Sequence, residues 1–367
     1  MKILFVDQFS DPGGAQLAME DVIEEARRRG WTCSVLAPGA GLPLRPLTRG
    51  AKNGADLLRY IGDVPGVRRA IRTNAYDLLY VNGPRVLPAV VGLDVPVIFH
   101  AHSVVTGRGS RMLTSWAARA SRATVIAASQ FAAEALGVPG ARIVYNGAPD
   151  FGGLRKATPM VRVGIVGRVA PEKGHDAFIH AAQQLAGEAA FTVFGDRKPA
   201  GETVAFEGWR QDVGSIYAEL DILVVPSGPN EVSTRVIMEA FSAGVTVVAY
   251  PSGGIPEVVT HDKTGLLVSP QQLAEAIRTL IESPELRSRL AANARLEWQR
   301  RFTRAGFQTR ICDIIEATCL DHAPTDVPET EHRRGSTRSA SAGPQAPSGS
   351  RHLTDRPASA IPADRAS

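Results

Sequence analysis

The sequence predicts an α/β protein of two doubly wound, parallel-sheet domains followed by a tail. Three observations carry this. The chain has 367 residues, enough for two domains with some to spare. Short apolar runs alternate with amphipathic stretches, the pattern of strands joined by crossover helices. The alternation then starts afresh at Val161.

In the first half, residues 3–6 are an apolar run that reads as the opening strand. The glycine loop Pro12-Gly13-Gly14 follows, then a helix over 15–29 that Gly30 ends. A strand spans 32–36, and a Pro- and Gly-rich loop leads to Leu47. A helical region covers 55–73. Strands at 77–81 and 95–100, a helix at 111–121, a strand at 124–127 and a helix opening at Ser129 complete the half. In the second half, strands fall at 161–166, 191–194, 203–206, 222–225, 245–249 and 265–268. Helices fall at 175–185, between Ser233 or Thr234 and Gly244, and at 271–283, 284–299 and 303–318. The expected domains are 1–150 and 151–302, with a closing helix at 303–320 and a tail at 321–367. From 325 on, Pro, Ser, Ala, Thr, Gly and Arg dominate. Such a segment buries too little apolar surface to offset the entropy of ordering, so disorder is expected there.

No apolar run approaches the roughly 18 residues of a membrane span. Residues 1–6 are too short for a signal-peptide core and run into Asp7 and Asp11. The three cysteines, Cys33, Cys312 and Cys319, have no metal-ligand spacing, and any pairing leaves one over. A reduced, cytoplasmic chain is the expectation. The net charge is +4, but it is unevenly placed: residues 45–122 hold twelve basic side chains against four acidic ones. Arg111, Arg119 and Arg122 share a helical stretch with Met112 and Trp116. A surface helix packed on its own domain accounts for this stretch; an anionic acceptor or the inner face of a membrane is the alternative. Nucleic acid is not expected, because aromatics are sparse and no recognition motif is present.

The most informative segment is PSGPNEVSTRVIMEAFSAGVTVVAYPSGGIPE, residues 226–257. It reads as strand end, loop, helix, strand and glycine turn. Ser233 or Thr234 is placed to cap a helix whose apolar face carries Val236, Ile237, Ala240 and Phe241. Glu231 then lies in the loop and Glu239 on the helix, leaning back toward its start. Both carboxylates can face the crevice at the carboxyl ends of the strands, where open α/β sheets bind ligands. Taken singly, each reads more simply as a cap or part of a solvated face. The turn Ser252-Gly253-Gly254 offers backbone N–H groups suited to an anion. Upstream, Gly167-Arg168 and Glu172-Lys173-Gly174 occupy another strand-to-helix loop. Arg168 and Lys173 with a helix N-terminus suit a diphosphate; a surface salt bridge to Glu172 is the plainer reading.

Together, Gly167-Arg168, Glu172-Lys173-Gly174, Glu231-x7-Glu239-Ala240, Ala243-Gly244 and Gly253-Gly254…Glu257 resemble the C-terminal half of retaining, nucleotide-sugar-dependent transferases of glycosyltransferase family 4. Tyr145-Asn146-Gly147-Ala148-Pro149-Asp150 and Lys263-Thr264-Gly265-Leu266-Leu267-Val268 are similar to other segments of that family, as are Pro12-Gly13-Gly14-Ala15-Gln16 and Phe99-His100-Ala101-His102. The likeness covers roughly residues 1–315. It implies the GT-B fold, an acceptor-side first domain, a nucleotide-sugar second domain and a last helix returning to the first domain.

The resemblance also implies roles. Arg168 and Lys173 stabilise the leaving diphosphate without a metal, and no Asp-x-Asp motif is present. Glu239 holds the ribose hydroxyls, Glu231 lies near the donor hexose, and Thr234 offers an N–H and a hydroxyl to a phosphate. Gly13 and Gly14 permit close approach of donor or acceptor. His102, or failing it His100, ends its strand facing the sugar; alternation puts both on one side, so sequence does not separate them. No cofactor is expected beyond the nucleotide sugar as co-substrate. The chain departs from the family at Thr234 and Ser233, and Gly195-Asp196 stands where Gly-x-Gly is usual. The expected activity is transfer of a sugar to an acceptor hydroxyl, in glycolipid, cell-surface polysaccharide or small-molecule glycoside synthesis. The rival is a catalytically silent nucleotide-sugar-binding partner of another transferase. An NAD-dependent oxidoreductase is disfavoured, since no Gly-x-Gly-x-x-Gly follows the first strand.

Overall fold

The computed structural model describes residues 1–9, 13–43, 54–72, 75–105, 107–152, 159–198, 204–232 and 234–322, and of 54–61 the backbone alone. The expectations for Pro12, the loop to Leu47, Thr203, Ser233 and the tail from 323 lie outside the described residues.

The first half runs β1 (Lys2–Asp7), α1 (Gly14–Arg28), β2 (Thr32–Pro38), β3 (Gly41–Leu42), α2 (Gly54–Ile71), β4 (Leu78–Asn82), α3 (Leu87–Val90), β5 (Val97–Ala101), α4 (Arg108–Ala120), β6 (Thr124–Ala127), α5 (Gln130–Leu136) and β7 (Arg142–Ile143). The second runs β8 (Arg162–Val166), α6 (His175–Gln184), β9 (Ala190–Phe194), β10 (Ala205–Phe206), α7 (Val213–Ala218), β11 (Ile222–Val225), α8 (Arg235–Ala243), β12 (Thr246–Ala249), α9 (Ile255–Val258), β13 (Leu266–Leu267), α10 (Leu273–Glu282), α11 (Pro284–Arg301) and α12 (Arg304–Leu320). Two sheets result, ordered β3-β2-β1-β4-β5-β6-β7 and β10-β9-β8-β11-β12-β13. Every strand pairing is parallel. Both sheets belong to one compact unit, Met1–Ala323.

Each sheet is covered on both faces, which is why its strands are unbroken apolar runs. In β1, Leu4 and Val6 pack on one side with Phe99 and Val125, while Ile3 and Phe5 pack on the other with α1 and α12. In β11, Leu223 and Val225 meet α8, and Ile222 and Val224 meet α6 and α10. The elements missed by pattern, β3, α3, β7, α7 and α9, span two to six residues. That is too short to show a period. The strand expected at 95–100 begins at Val97, because Pro96 has no N–H to give the ladder.

Strand order reverses between β1 and β4 and between β8 and β11. Ligands of open parallel sheets bind at such switch points, beyond the carboxyl ends. The loops leaving β1, β8 and β11 carry Gly13 and Gly14, Arg168 and Lys173, and Glu231. Helix α12 places Phe307, Ile311, Cys312 and Ile315 in the core of the first sheet with Ala18, Val22 and Ala26 of α1. Burial pushes the Cys312 thiol up to about 12. The segment Asn146–Asp150 is clamped where α11 meets α12: Ala148 exchanges backbone hydrogen bonds with Phe302 and Arg304, and Asp150 pairs with Arg295. No described helix is long and apolar enough to cross a membrane.

Candidate active site

The switch-point loops enclose a cavity of about 210 Å³. Gly13, Gly14, Arg168, Lys173, Glu231, Thr234 and Glu239 all line it, with Arg235, Trp209 and apolar walls from Val166, Phe194 and Ile216. Seven residues drawn from three distant stretches of sequence thus meet at one place.

The loop after β8 is held from several sides. Gly174 sits at φ 73°, and a Cβ there would fall 2.1 Å from the Pro226 carbonyl oxygen, so only glycine lets this loop seat against the end of β11. The Gly228 N–H reaches back to the Glu172 carbonyl at 2.8 Å. Asp196 accepts a 2.7 Å bond from the Val169 N–H, and Arg197 donates to the Val169 carbonyl. The departure at Gly195-Asp196 therefore supplies a brace for the Arg168 loop. Arg168 itself is about a third exposed, with Glu172 at 4.0 Å. Lys173 Nζ lies 2.6 Å from Glu231 Oε2. Its partner is thus the cavity glutamate, not Glu172.

Glu239 is buried, with one donor on each carboxylate oxygen. Tyr217 Oη donates to its Oε2 at 2.9 Å and Arg235 Nε donates to its Oε1 at 3.0 Å. Each oxygen keeps one further acceptor direction. Burial, and then the adjacent Glu239, hold the Tyr217 hydroxyl well above the ordinary phenol range. Burial acts against the Arg235 charge, but Glu239 and Asp21 outweigh it and raise the guanidinium above its usual value. Thr234 occupies the N-cap position of α8, yet its side chain makes no cap bond. Its Oγ1 is buried without a partner, in a residue that lines the cavity. A buried orphan hydroxyl is uncommon and marks a place where a ligand can satisfy it.

One expectation is corrected. The turn at 252–257 is not an open anion cradle. Gly254 donates to the Glu231 carbonyl, Ile255 to Ser252 and Glu257 to Gly254. Gly253 sits at φ 56° with room for no side chain, since a Cβ would lie 2.0 Å from the Glu231 carbonyl oxygen. The turn holds the Glu231 loop in place. Glu257 then crosses to the first sheet's side, where its carboxylate accepts from the Gln130 and Phe131 N–H groups at 2.7 and 2.8 Å and from Tyr145 at 3.0 Å.

His102 is not part of the cavity lining. Its ring lies against that of His100, 3.7 Å between centroids and tilted by 42°, with both its nitrogens buried and unpartnered. Burial pulls its imidazole down to about 3, so it is neutral at ordinary pH. His100 Nδ1 is 2.5 Å from Tyr80 Oη. Both rings lie on one side of the sheet, as strand alternation requires. Sequence reasoning missed Arg235, Tyr217 and Asp21. Arg235 had a local signal, its i,i+4 spacing to Glu239. Tyr217 and Asp21 had none.

Two doubly wound parallel sheets facing one switch-point cavity are the GT-B architecture. The sequence profile described as Glycosyl transferases group 1 matches residues 161–283, and that described as Glycosyltransferase Family 4 matches residues 12–149. The chain belongs to glycosyltransferase family 4. The D-inositol 3-phosphate glycosyltransferase of Corynebacterium glutamicum is 34% identical over 147 residues, which are 39% of this chain and 32% of that protein. The GDP-mannose-dependent alpha-(1-6)-phosphatidylinositol dimannoside mannosyltransferase of Mycobacterium tuberculosis is 30% identical over 132 residues, 34% of each chain. The matched part is thus about a third of these curated relatives' length. Among solved structures, Anabaena HepE in complex with UDP-glucose superposes with a TM-score of 0.69 at 24% identity, covering 86% of this chain and 100% of that one. Sucrose-phosphate synthase from Thermosynechococcus elongatus gives 0.73 at 18% identity, covering 88% and 100%. These similarities establish the fold.

Proposed function

We propose that this chain is a metal-independent, retaining glycosyltransferase that moves a sugar from a nucleotide diphosphate sugar to an acceptor hydroxyl. The observation that carries the reading is the convergence of Arg168, Lys173, Thr234, Glu231 and Glu239 on one switch-point cavity. Cleaving the anomeric C–O bond sends its electron pair onto the diphosphate. Arg168, Lys173 and the orphan Thr234 hydroxyl are the groups that meet that charge. Glu239 takes the ribose hydroxyls with its remaining lone pairs. Glu231, tethered to Lys173, lies toward the hexose. Retention follows from same-face attack: the acceptor oxygen bonds to the anomeric carbon and its proton passes to the leaving phosphate. Gly13 and Gly14 let backbone approach the bound sugar nucleotide. His102 is assigned to the hexose, which must then extend from the cavity toward the end of β5. Its neutral ring suits hydrogen bonding.

The test is a screen of nucleotide sugars against the purified chain, including UDP-glucose and GDP-mannose, the sugar nucleotides named with the similar proteins above. One donor should raise the melting temperature, be slowly hydrolysed, and keep its turnover in EDTA. Ligand at about 100 times its dissociation constant stabilises by about 2.7 kcal/mol. Stabilisation without turnover would favour the silent binding partner. No stabilisation by any of them would overturn the reading.

The acceptor is proposed to be lipid-linked, reached at the cytoplasmic face of a membrane. Met112 is 73% and Trp116 55% exposed, one turn apart on α4. The helix carries Arg108, Arg111 and Arg119 and no acidic residue, although Glu134 of α5 borders the same patch. The basic residues at 45–52 lie outside the described residues. An apolar wedge flanked by arginines suits an anionic leaflet, at about 1 kcal/mol per arginine at low salt. In co-sedimentation, binding should rise with anionic lipid and fall with salt. It should weaken when Arg111, Arg119 and Arg122 are changed to Glu. Indifference to anionic vesicles at low salt would make a soluble acceptor the better account.

A further inference from the structure

Arg235 opens α8, where a cation opposes the positive end of the helix dipole. It is nine-tenths buried and lines the cavity. Neither helix stability nor solvation explains a guanidinium there. Its partners do. Nε donates to Glu239 Oε1 at 3.0 Å, and Nη1 donates to Asp21 Oδ2 at 2.7 Å. Asp21 belongs to α1, on the other sheet, and its side chain is 5% exposed. Its second oxygen accepts from Arg304 Nε of α12, and its carbonyl accepts from Gln308 at 2.8 Å. Asp21 does not line the cavity.

We infer that Arg235 is a positioning residue that transmits the placement of Asp21 to Glu239. The first sheet's domain thereby sets the affinity and sugar recognition of a nucleoside diphosphate that Asp21 never touches. The geometry has two parts. The guanidinium is a planar fork whose donors are fixed relative to one another. Once Asp21 anchors Nη1, the direction of Nε is set, and with it the plane of the Glu239 carboxylate. Tyr217 fixes the other oxygen from within the second domain. Each Glu239 oxygen then keeps one acceptor direction, the number that two adjacent ribose hydroxyls require. The charge pattern supports the same role. Asp21 and Glu239 share the buried Arg235, and Asp21 also pairs with Arg304, a third exposed and paired in turn with Glu24, so the network holds three acids and two guanidinium groups.

This inference rests on Glu239 being the ribose site, and the experiment separates the two. UDP and GDP are titrated calorimetrically against the full-length chain, and the better of them is compared with its 2′-deoxy analogue. Wild type should prefer the ribonucleotide by on the order of tenfold, one hydrogen bond to a charged group. Asp21→Asn removes the anchor and should weaken the nucleoside diphosphate by on the order of tenfold. It should also shrink the ribose preference to about threefold or less, near the level for a hydrogen bond with lost alignment. Arg235→Lys keeps a charge but has no fork, so it should lose the preference as Asp21→Asn does. Arg235→Met, with Asp21 still held by Arg304, serves if the Asp21 variant fails to fold. A ribose preference unchanged in these variants while wild type binds would refute the coupling alone. Wild-type binding with no preference for ribose would refute the Glu239 assignment, and the coupling with it.

Discussion

Replacing Arg168 or Lys173 by alanine is expected to lower turnover by about two to three orders of magnitude each, the usual loss when a group aimed at developing charge is removed. The two should differ in detail. Among the described residues Arg168 has Glu172 alone as an ion-pair partner, at 4.0 Å, so its loss removes a cation and leaves little behind. Lys173 is 2.6 Å from Glu231, whose side chain is 11% exposed. Lys173→Ala therefore also strands a carboxylate beside the departing diphosphate. Its effect should be the larger, and Lys173→Ala combined with Glu231→Gln should recover part of the donor affinity. Steady-state kinetics with the donor from the screen, with and without EDTA, decide this. Full dependence on an added divalent ion would replace this arrangement with a metal-assisted one.

Glu239→Gln is expected to weaken nucleoside diphosphate itself, by about tenfold or more. Besides losing a charged acceptor, it leaves Arg235 with one anion in place of two in a buried setting, a change that costs several kcal/mol when a pair is broken outright. Part of the loss should therefore appear as a lower melting temperature. Glu231→Gln should leave nucleoside diphosphate affinity within about threefold, because the proposed role of Glu231 is toward the hexose and not the nucleotide, while transfer falls sharply. Calorimetry for the diphosphate and single-turnover rates for transfer separate the two. Equal losses of nucleotide affinity would end the division of roles between the two glutamates.

Much of this protein is legible in its sequence, because the relevant physics is local. Continuous apolar runs at β1, β5, β8, β11 and β12 announce strands buried on both faces, and their alternation with helices implies parallel sheets. Loops after three of those strands carry the glycines and charges that meet in the cavity. Loop position relative to a parallel strand is itself a consequence of topology, so Arg168, Lys173, Glu231 and Glu239 could be named before any coordinate.

What tertiary structure alone decided concerns partners rather than positions. Lys173 pairs with Glu231, 58 residues away, in place of its neighbour Glu172. The Gly254 N–H is spent on the Glu231 carbonyl, and Thr234 leaves its hydroxyl unused. Arg235 and Asp21 are 214 residues apart. A repeating pattern reports which face of an element is apolar. It carries no information about which polar groups end up opposed once two sheets are packed. That choice depends on the relative placement of α1, α8 and α12, and only the folded chain sets it.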